Sequence, residues 1–149
     1  VAPDHAILRE AEAVFALSSA LRRARIVAAA LQGAEILWID DHPEDTIWER
    51  SLLKVFRVEV TTVETTRSAL AVLPSGRFDV VLSDIAREGS PSEGVRALPE
   101  ILAAAGVARV VFYVDRVSDS RPPAGAFGIT NSSHELLHLI LDALERNRL

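Results

Sequence analysis

The sequence predicts an α/β fold in which a three-layer, doubly wound, five-stranded parallel sheet is covered by helices on both faces. Short apolar runs rich in β-branched residues alternate along the chain with longer segments whose apolar residues recur at helical spacing. Strands that are separated by helices pair in parallel, and right-handed crossovers are compatible with the strand order 2-1-3-4-5. In that order the first and third strands are neighbours.

The N-terminal segment, from Asp4 to Leu31, is predicted to form one long helix. Asp4 can cap the first turn, and Gly33 ends the helix. Two interpretations of this helix stay open, namely packing on its own domain and self-association, and the second predicts a dimer. We place the helix in residues 1–33 and the α/β domain in residues 34–149. Apolar residues follow a heptad-like spacing, at Ile7, Val14, Leu17, Leu21, Ala24, Ala28 and Leu31.

The first predicted strand, Ile36–Ile39, is wholly apolar and therefore typical of a strand buried on both faces. Pro43 lies where the first turn of a helix tolerates proline, and the helical segment continues through Glu44–Phe56. Within the two elements, Trp38 is expected in the core, whereas Trp48 is expected either in the core or facing a partner. Val58–Val63 alternates polar and apolar residues, which predicts a second strand nearer the edge of the sheet.

The next helix is capped by Thr65 or Thr66 and ends at residues 74–76, a Pro-Ser-Gly sequence that a helix does not continue through. Val80–Leu82 is the third predicted strand and is again wholly apolar. A glycine-containing loop leads to a helix near Arg96–Ala105. This half of the chain therefore repeats the alternation of strand and helix.

The fourth predicted strand is Val107–Val114, and the fifth is the short segment Phe127–Thr130. Between them, Asp115–Ala124 contains a Pro-Pro pair and should not hold a full helix. The last helix is capped by Ser132 or Ser133. The sheet is therefore predicted to carry an extra N-terminal helix and a reduced fourth helix.

Composition excludes several kinds of protein. The chain has 149 residues, which favours one domain, and its net charge of −5 argues against a general nucleic-acid-binding surface. Without cysteine there can be no disulfide, thiolate zinc site or cysteine nucleophile. Three arginines at 22, 23 and 25 interrupt the first apolar stretch, so no membrane span is expected. No secretory signal is evident, and the expected location is cytoplasmic.

Three aspartates are the main candidates for function. Asp40 and Asp41 follow the first strand, and Asp84 follows the third. The carboxyl edge of a parallel sheet is where open α/β folds bind ligands. Carboxylates that are brought together there favour a divalent cation such as Mg²⁺, and an aspartate beside the cation can accept a phosphoryl group. Ordinary capping, with Asp41 starting a helix and Asp84 ending a strand, is the alternative.

These motifs resemble those of response-regulator receiver (CheY-like) domains, over a region from about Glu35 to the C-terminus. Ile36–Pro43 resembles the segment with the acidic metal-binding pair, and Phe78–Asp84 resembles the third strand, which ends in the phosphoacceptor. Gly125–Gly128 resembles the entry to the fifth strand. The resemblance implies a flavodoxin-like fold.

The resemblance also implies roles for individual residues. Asp84 would accept the phosphoryl group, and Asp40 and Asp41 would hold Mg²⁺ directly or through water. The backbone carbonyl of Ala86 would be a further metal ligand. The likeness is to an atypical subgroup of receivers.

Four departures from the family pattern argue against the family's usual phosphorylation switch. Receivers place Ser or Thr at the end of the fourth strand and Lys after the fifth, where this sequence has Val114 and Ser132. Ile129 replaces the usual aromatic residue. Lys54 is the only lysine in the chain and lies in the first helix of the receiver-like region. The reduced fourth helix belongs, in the family, to the surface that changes partner affinity.

Other polar groups could contact a phosphoryl oxygen instead. Arg87 and Arg116 follow the third and fourth strands, and a guanidinium binds such oxygens in a fork. Ser132 can donate a hydrogen bond but supplies no charge. The alternative for both arginines is a solvated loop position, which the sequence favours.

The sequence favours structural positions for three of the histidines. His42 beside the acidic pair could ligate a metal, but a solvent-facing loop position is favoured. His134 and His138 lie one turn apart, a spacing that can bind zinc. No Glu-bearing zinc motif accompanies them, which favours an ordinary helix surface.

The sequence therefore predicts an atypical receiver-like signalling domain that acts through protein–protein interaction, with Mg²⁺-dependent phosphorylation at Asp84. Its expected partners are a kinase or a downstream effector, with a homodimer through the N-terminal helix; neither nucleic acid nor membrane is expected. The alternative is a pseudo-receiver scaffold without phosphoryl chemistry. An aspartate-nucleophile phosphatase is disfavoured because Asp40 and Asp41 are adjacent. A P-loop NTPase is excluded by the missing motif, and no enzymatic activity beyond accepting a phosphoryl group is expected.

Overall fold

A computed structural model describes residues 5–117 and 121–147. The chain divides into two compact units, residues 1–30 and 31–149, whereas the sequence analysis placed a boundary after residue 33. Helix α1, His5–Leu31, is one uninterrupted helix of 27 residues, as predicted. The proposed cap Asp4 lies outside the described residues.

The second unit is built around a parallel sheet of five strands. Their order is β2-β1-β3-β4-β5, which confirms the predicted topology and places β2 at an edge. In β1 and β3, Ile39 pairs with Ser83, so both strands reach the same edge of the sheet together. The strands are β1 (Glu35–Ile39), β2 (Glu59–Val63), β3 (Val80–Ser83), β4 (Arg109–Tyr113) and β5 (Gly128–Thr130).

Four helices of the second unit connect and follow the strands. Two of them adjoin short 3₁₀ turns, at Pro43–Thr46 before α2 and at Leu73–Ser75 after α3. Two predicted caps are present, since Thr65 accepts a hydrogen bond from the Ser68 N–H and Ser132 accepts one from the Glu135 N–H. The helices are α2 (Ile47–Val55), α3 (Thr66–Val72), α4 (Glu93–Ala105) and α5 (Ser133–Asn147).

The segment between β4 and β5 carries no helix in its described parts, residues 114–117 and 121–127. This agrees with the expectation for Asp115–Ala124, although residues 118–120 of that stretch lie outside the described residues. The fourth helix of the usual alternation is therefore reduced, and α4 is the helix between β3 and β4.

The core lies on both faces of the sheet. Because side chains alternate along a strand, Leu37 and Ile39 pack into the cluster beneath α3 and α4. Trp38 is buried, as predicted, and its ring meets the ring of Tyr113 edge-on with centroids 6.1 Å apart. Trp48 is 83% exposed, so it is not a core residue. None of the described helices is long and apolar enough to span a bilayer.

Candidate functional site

Neighbouring strands β1 and β3 deliver Asp40 and Asp84 to the carboxyl edge of the sheet. Each aspartate directly follows one member of the Ile39–Ser83 pair. The Asp84 N–H donates to the Ile39 carbonyl at 3.1 Å, and the Asp40 N–H donates to the Val63 carbonyl at 2.9 Å. The ladder hydrogen bonds thus continue through both residues and fix their backbones side by side.

A cavity of about 530 Å³ opens between these strand ends. Its described lining contains five carboxylates, and the only basic group is the imidazole of His42. Such a set of oxygen ligands attracts cations and disfavours free anions. The lining residues are Asp40, His42, Asp45, Thr46, Glu49, Asp84, Ala86, Tyr113, Val114, Asp115 and Asn131.

Asp84 has the most perturbed carboxyl group at this edge. Burial raises its pKa to about 6, and the negative charges of Asp40, Asp115 and Asp41 act in the same direction. Its Oδ1 atom accepts a hydrogen bond of 2.7 Å from the Ile85 N–H. At neutral pH the carboxylate is ionised in surroundings that solvate it poorly, which a bound cation would relieve.

Asp40 is also buried, with 5% of its surface exposed. Burial raises its pKa, and the adjacent Asp41 charge adds to the effect. The Asp40 Oδ1 atom accepts a hydrogen bond of 2.8 Å from the His42 N–H, which fixes the carboxylate at the start of the following turn. Burial and neighbouring negative charges thus raise the pKa values of both Asp40 and Asp84, and a bound cation would favour the ionised form of each.

Asp41 does not line the cavity. Its Oδ2 atom accepts a hydrogen bond of 2.9 Å from the Glu88 N–H, and its Oδ1 atom lies 2.9 Å from His42 Nδ1. Burial opposes ionisation of Asp41, but these contacts outweigh it and lower the pKa. Asp40, Asp41 and His42 still offer ligand atoms within 4.8 Å of one another, the only such group in the described chain. Asp41 thus connects β1 to the loop after β3.

Arg87 is neither a residue of the cavity, where it could contact a phosphoryl oxygen, nor a solvated loop residue, the two interpretations that the sequence left open. Its side chain is 1% exposed, so it is not a solvated loop residue, and it does not line the cavity. Its Nη1 atom donates to Glu88 Oε2 at 2.7 Å and to Thr66 Oγ1 at 3.1 Å, and Nε donates to the Asp84 carbonyl at 3.2 Å. The arginine fixes the loop that follows Asp84.

The same network continues into α4. Thr66 donates to Glu93 Oε2 at 2.8 Å, and Glu93 also accepts two hydrogen bonds of 2.7 Å from the Arg96 guanidinium. Arg96, and then Thr66, lower the pKa of Glu93 to about 2. Beside it, Gly94 allows a close approach, because a Cβ atom there would lie 2.5 Å from the Asp84 carbonyl oxygen. The start of α4 is therefore packed directly against the backbone of Asp84.

Some of the other predicted site residues line the cavity and some do not. Ala86 and Val114 line the cavity, whereas Ser132 does not, since it caps α5. Asn131, one residue earlier, is the group that reaches the cavity from β5. Arg116 is exposed and is not among the lining residues. The cavity wall near the ends of β4 and β5 is thus formed in part by the apolar side chain of Val114 and the uncharged amide of Asn131.

The sequence analysis missed several acidic and polar lining residues, namely Asp45, Glu49, Tyr113, Asp115 and Asn131. The sequence contains a signal for two of these residues, because they follow predicted strands. Asp115 closely follows β4 and Asn131 directly follows β5, just as Asp84 follows β3. The rule that identified Asp40 and Asp84 applies to every strand of a parallel sheet.

No protein-family model matches this chain, and no curated protein matches it. Solved structures do match. A response regulator receiver domain protein from Clostridium thermocellum has 23% identity and a TM-score of 0.64, covering 77% of this chain and 97% of that one. The Thermotoga maritima response regulator TrrA, solved in complex with Mg²⁺ and BeF, has 23% identity and a TM-score of 0.62, covering 74% and 98%.

A CheY-like receiver domain protein from Methanospirillum hungatei has 20% identity and a TM-score of 0.63, covering 77% of this chain and 96% of that one. The matches span almost the whole of these receiver domains. The fold is therefore the CheY-like, flavodoxin-like receiver fold that the sequence predicts.

Proposed function

We propose that this chain is an atypical receiver-like signalling domain in which Asp84 accepts a phosphoryl group beside a bound Mg²⁺ and thereby changes contacts with a protein partner. The observation that carries the proposal is the placement of Asp40 and Asp84 at paired strand ends, in one cavity lined by five described carboxylates. The partner is a kinase or a downstream effector protein, and the domain has no catalytic turnover of its own.

The donor set fits a hard cation with oxygen ligands. Asp40, Asp84 and the carbonyl of Ala86 would hold the ion, which would neutralise charge on the transferring phosphoryl group. In the transfer, a carboxylate oxygen of Asp84 forms a bond to phosphorus as the bond to the donor's leaving group breaks. The Ile85 N–H and the Arg87–Asp84 contact hold the acceptor while this occurs.

A second candidate, the pseudo-receiver scaffold, is favoured by a separate observation. Val114 lies in the cavity wall where a hydroxyl is expected, and a methyl group cannot donate a hydrogen bond. Lys54, the only lysine, lies on α2 and lines a different cavity, with Arg50 and Arg57. In this candidate the same fold binds its partner without phosphoryl chemistry.

The test is exposure of the full chain to acetyl phosphate with millimolar Mg²⁺, followed by intact-protein mass spectrometry. We expect one added phosphoryl group, which Asp84→Asn abolishes and Asp142→Asn, on the exposed surface of α5, retains. Trp38 fluorescence should respond to Mg²⁺ with beryllofluoride, because its ring contacts Tyr113 in the cavity wall. If the wild-type chain shows neither the added mass nor the change in Trp38 fluorescence, the result supports the pseudo-receiver scaffold instead.

We further propose that α1 self-associates through the apolar residues that follow a heptad-like spacing from Ile7 to Leu31. These residues are called the heptad stripe. The uninterrupted helix keeps the apolar positions in register over its length. Replacing both Leu17 and Leu21 with glutamate should convert a dimer into a monomer, measured as mass in solution, because the new charges lie on the stripe. Glutamates at Ala16 and Ser19, which lie off the stripe, should leave the dimer intact. A monomeric wild-type chain would contradict the proposal.

A further inference from the structure

His134 and His138 form a close pair on the surface of α5. Their spacing places them one above the other on one face of the helix. The two Nε2 atoms lie 3.2 Å apart, and the ring planes meet at 81° with centroids separated by 4.6 Å. Both residues are exposed, so the shared space between the two nitrogens is open to solvent.

The separation of the two nitrogens matches that of two ligands on one tetrahedral ion. Zinc binds imidazole nitrogen at about 2.0–2.1 Å, which gives an edge of about 3.3 Å between neighbouring ligands. The distance between the two nitrogens therefore already suits one ion bound to both, and this ion would lie off the line that joins them. At this distance an Nε2–H of one ring can donate to the other ring, with the roles set by the tautomers, whereas a metal ion would accept a lone pair from both nitrogens.

From this geometry we propose that α5 carries a transition-metal site, independent of the acidic cavity, in which His134 and His138 bind Zn²⁺, Ni²⁺ or Cu²⁺. Imidazole nitrogen suits these ions, whereas carboxylate and carbonyl oxygens suit Mg²⁺. The spacing alone favoured an ordinary helix surface in the sequence analysis, and the facing nitrogen atoms change that interpretation. The chain thus has two metal sites of different chemical preference.

The surroundings of the pair are compatible with a cation. Neither histidine is in an ion pair among the described residues, and the net charge of the chain is −5. Asp142 is exposed one helical turn beyond His138 and adds negative charge on that side. The described residues supply no third ligand atom within 4.8 Å, so water would fill the remaining positions of the ion. The site is therefore open and exchangeable.

The test is a Zn²⁺ titration of the full chain in excess Mg²⁺, followed by calorimetry and by thermal unfolding. At a free Zn²⁺ concentration 100 times the dissociation constant, the folding equilibrium constant should increase about 100-fold, with a matching rise in Tm. His134→Gln and His138→Gln should each lose this response, because one imidazole remains. Both positions are exposed, so the metal-free variants should unfold near the wild-type Tm.

Two control variants distinguish Zn²⁺ binding by the α5 pair from Zn²⁺ binding by the other two histidines of the chain. His5→Gln removes a histidine on α1 and should leave the Zn²⁺ response unchanged. His42→Gln removes the imidazole of the Asp40–Asp41–His42 group and should likewise leave it in place. The proposal is overturned if wild type shows no Zn²⁺ response, if the response survives both α5 substitutions, or if only His42→Gln abolishes it.

Discussion

Replacing Arg87 with alanine is expected to lower the free energy of unfolding by about 2–4 kcal/mol, because it leaves buried partners without their donor. The side chain is 1% exposed, and its guanidinium satisfies Glu88, Thr66 and the Asp84 carbonyl together. The Glu88 carboxylate retains 29% exposure, so water recovers part of the loss and the effect stays below that of a fully buried pair.

Urea unfolding of three variants checks this expectation. Arg116→Ala, at an exposed loop position, should change stability by no more than about 0.5 kcal/mol. Arg87→Lys keeps the charge but lacks the planar fork, so it should recover only part of the loss. A stability of Arg87→Ala equal to that of Arg116→Ala would show that the network contributes nothing measurable.

Asp84→Asn is expected to raise the free energy of unfolding by about 1–3 kcal/mol at pH 8 without added metal. The folded-state pKa of Asp84, about 6, lies above its ordinary value of 3.8. The aspartate therefore contributes stability that is fully present below pH 3.8 and is lost as the pH rises through 6. The amide carries no charge, so the advantage of the variant should grow over this range and level off above it.

Stability curves of wild type and Asp84→Asn between pH 4 and 8 provide the measurement. Asp142→Asn removes an exposed carboxylate on α5 and serves as the matched control, for which we expect no comparable pH dependence. Mg²⁺ should stabilise the wild-type chain and reduce the difference at pH 8, because the ion offsets the repulsion between Asp40 and Asp84. A difference that is independent of pH would contradict the electrostatic explanation.

The order of the sheet could be predicted because it depends on patterns that are local in sequence. Runs such as Val80–Leu82 have the length and composition of buried strands, and right-handed crossovers restrict how such strands can be arranged. The same reasoning placed Asp40 and Asp84 together, since a residue after a parallel strand must lie at its carboxyl edge. These parts of the site follow directly from the fold.

The direction of long side chains could not be predicted in the same way. Arg87 turns away from the cavity because Thr66 and Glu88 offer buried acceptors, and Thr66 comes from a helix 21 positions earlier in the sequence. Ser132, a predicted contact for a phosphoryl oxygen, does not line the cavity, whereas Asn131, the residue directly after the three-residue strand β5, does. The Ser132 N–H donates to Thr130 Oγ1 at 3.0 Å, which directs Ser132 into the cap of α5.

Gly94 brings the N-terminal turn of α4 into direct contact with the backbone of Asp84. A Cβ atom there would meet the Asp84 carbonyl oxygen at 2.5 Å and the Ile85 Cα atom at 2.8 Å, so backbone touches backbone with no side chain between them. A rotating side chain cannot absorb a displacement across such a contact. A shift of the Asp84 backbone would therefore be passed directly to the N-terminal turn of α4.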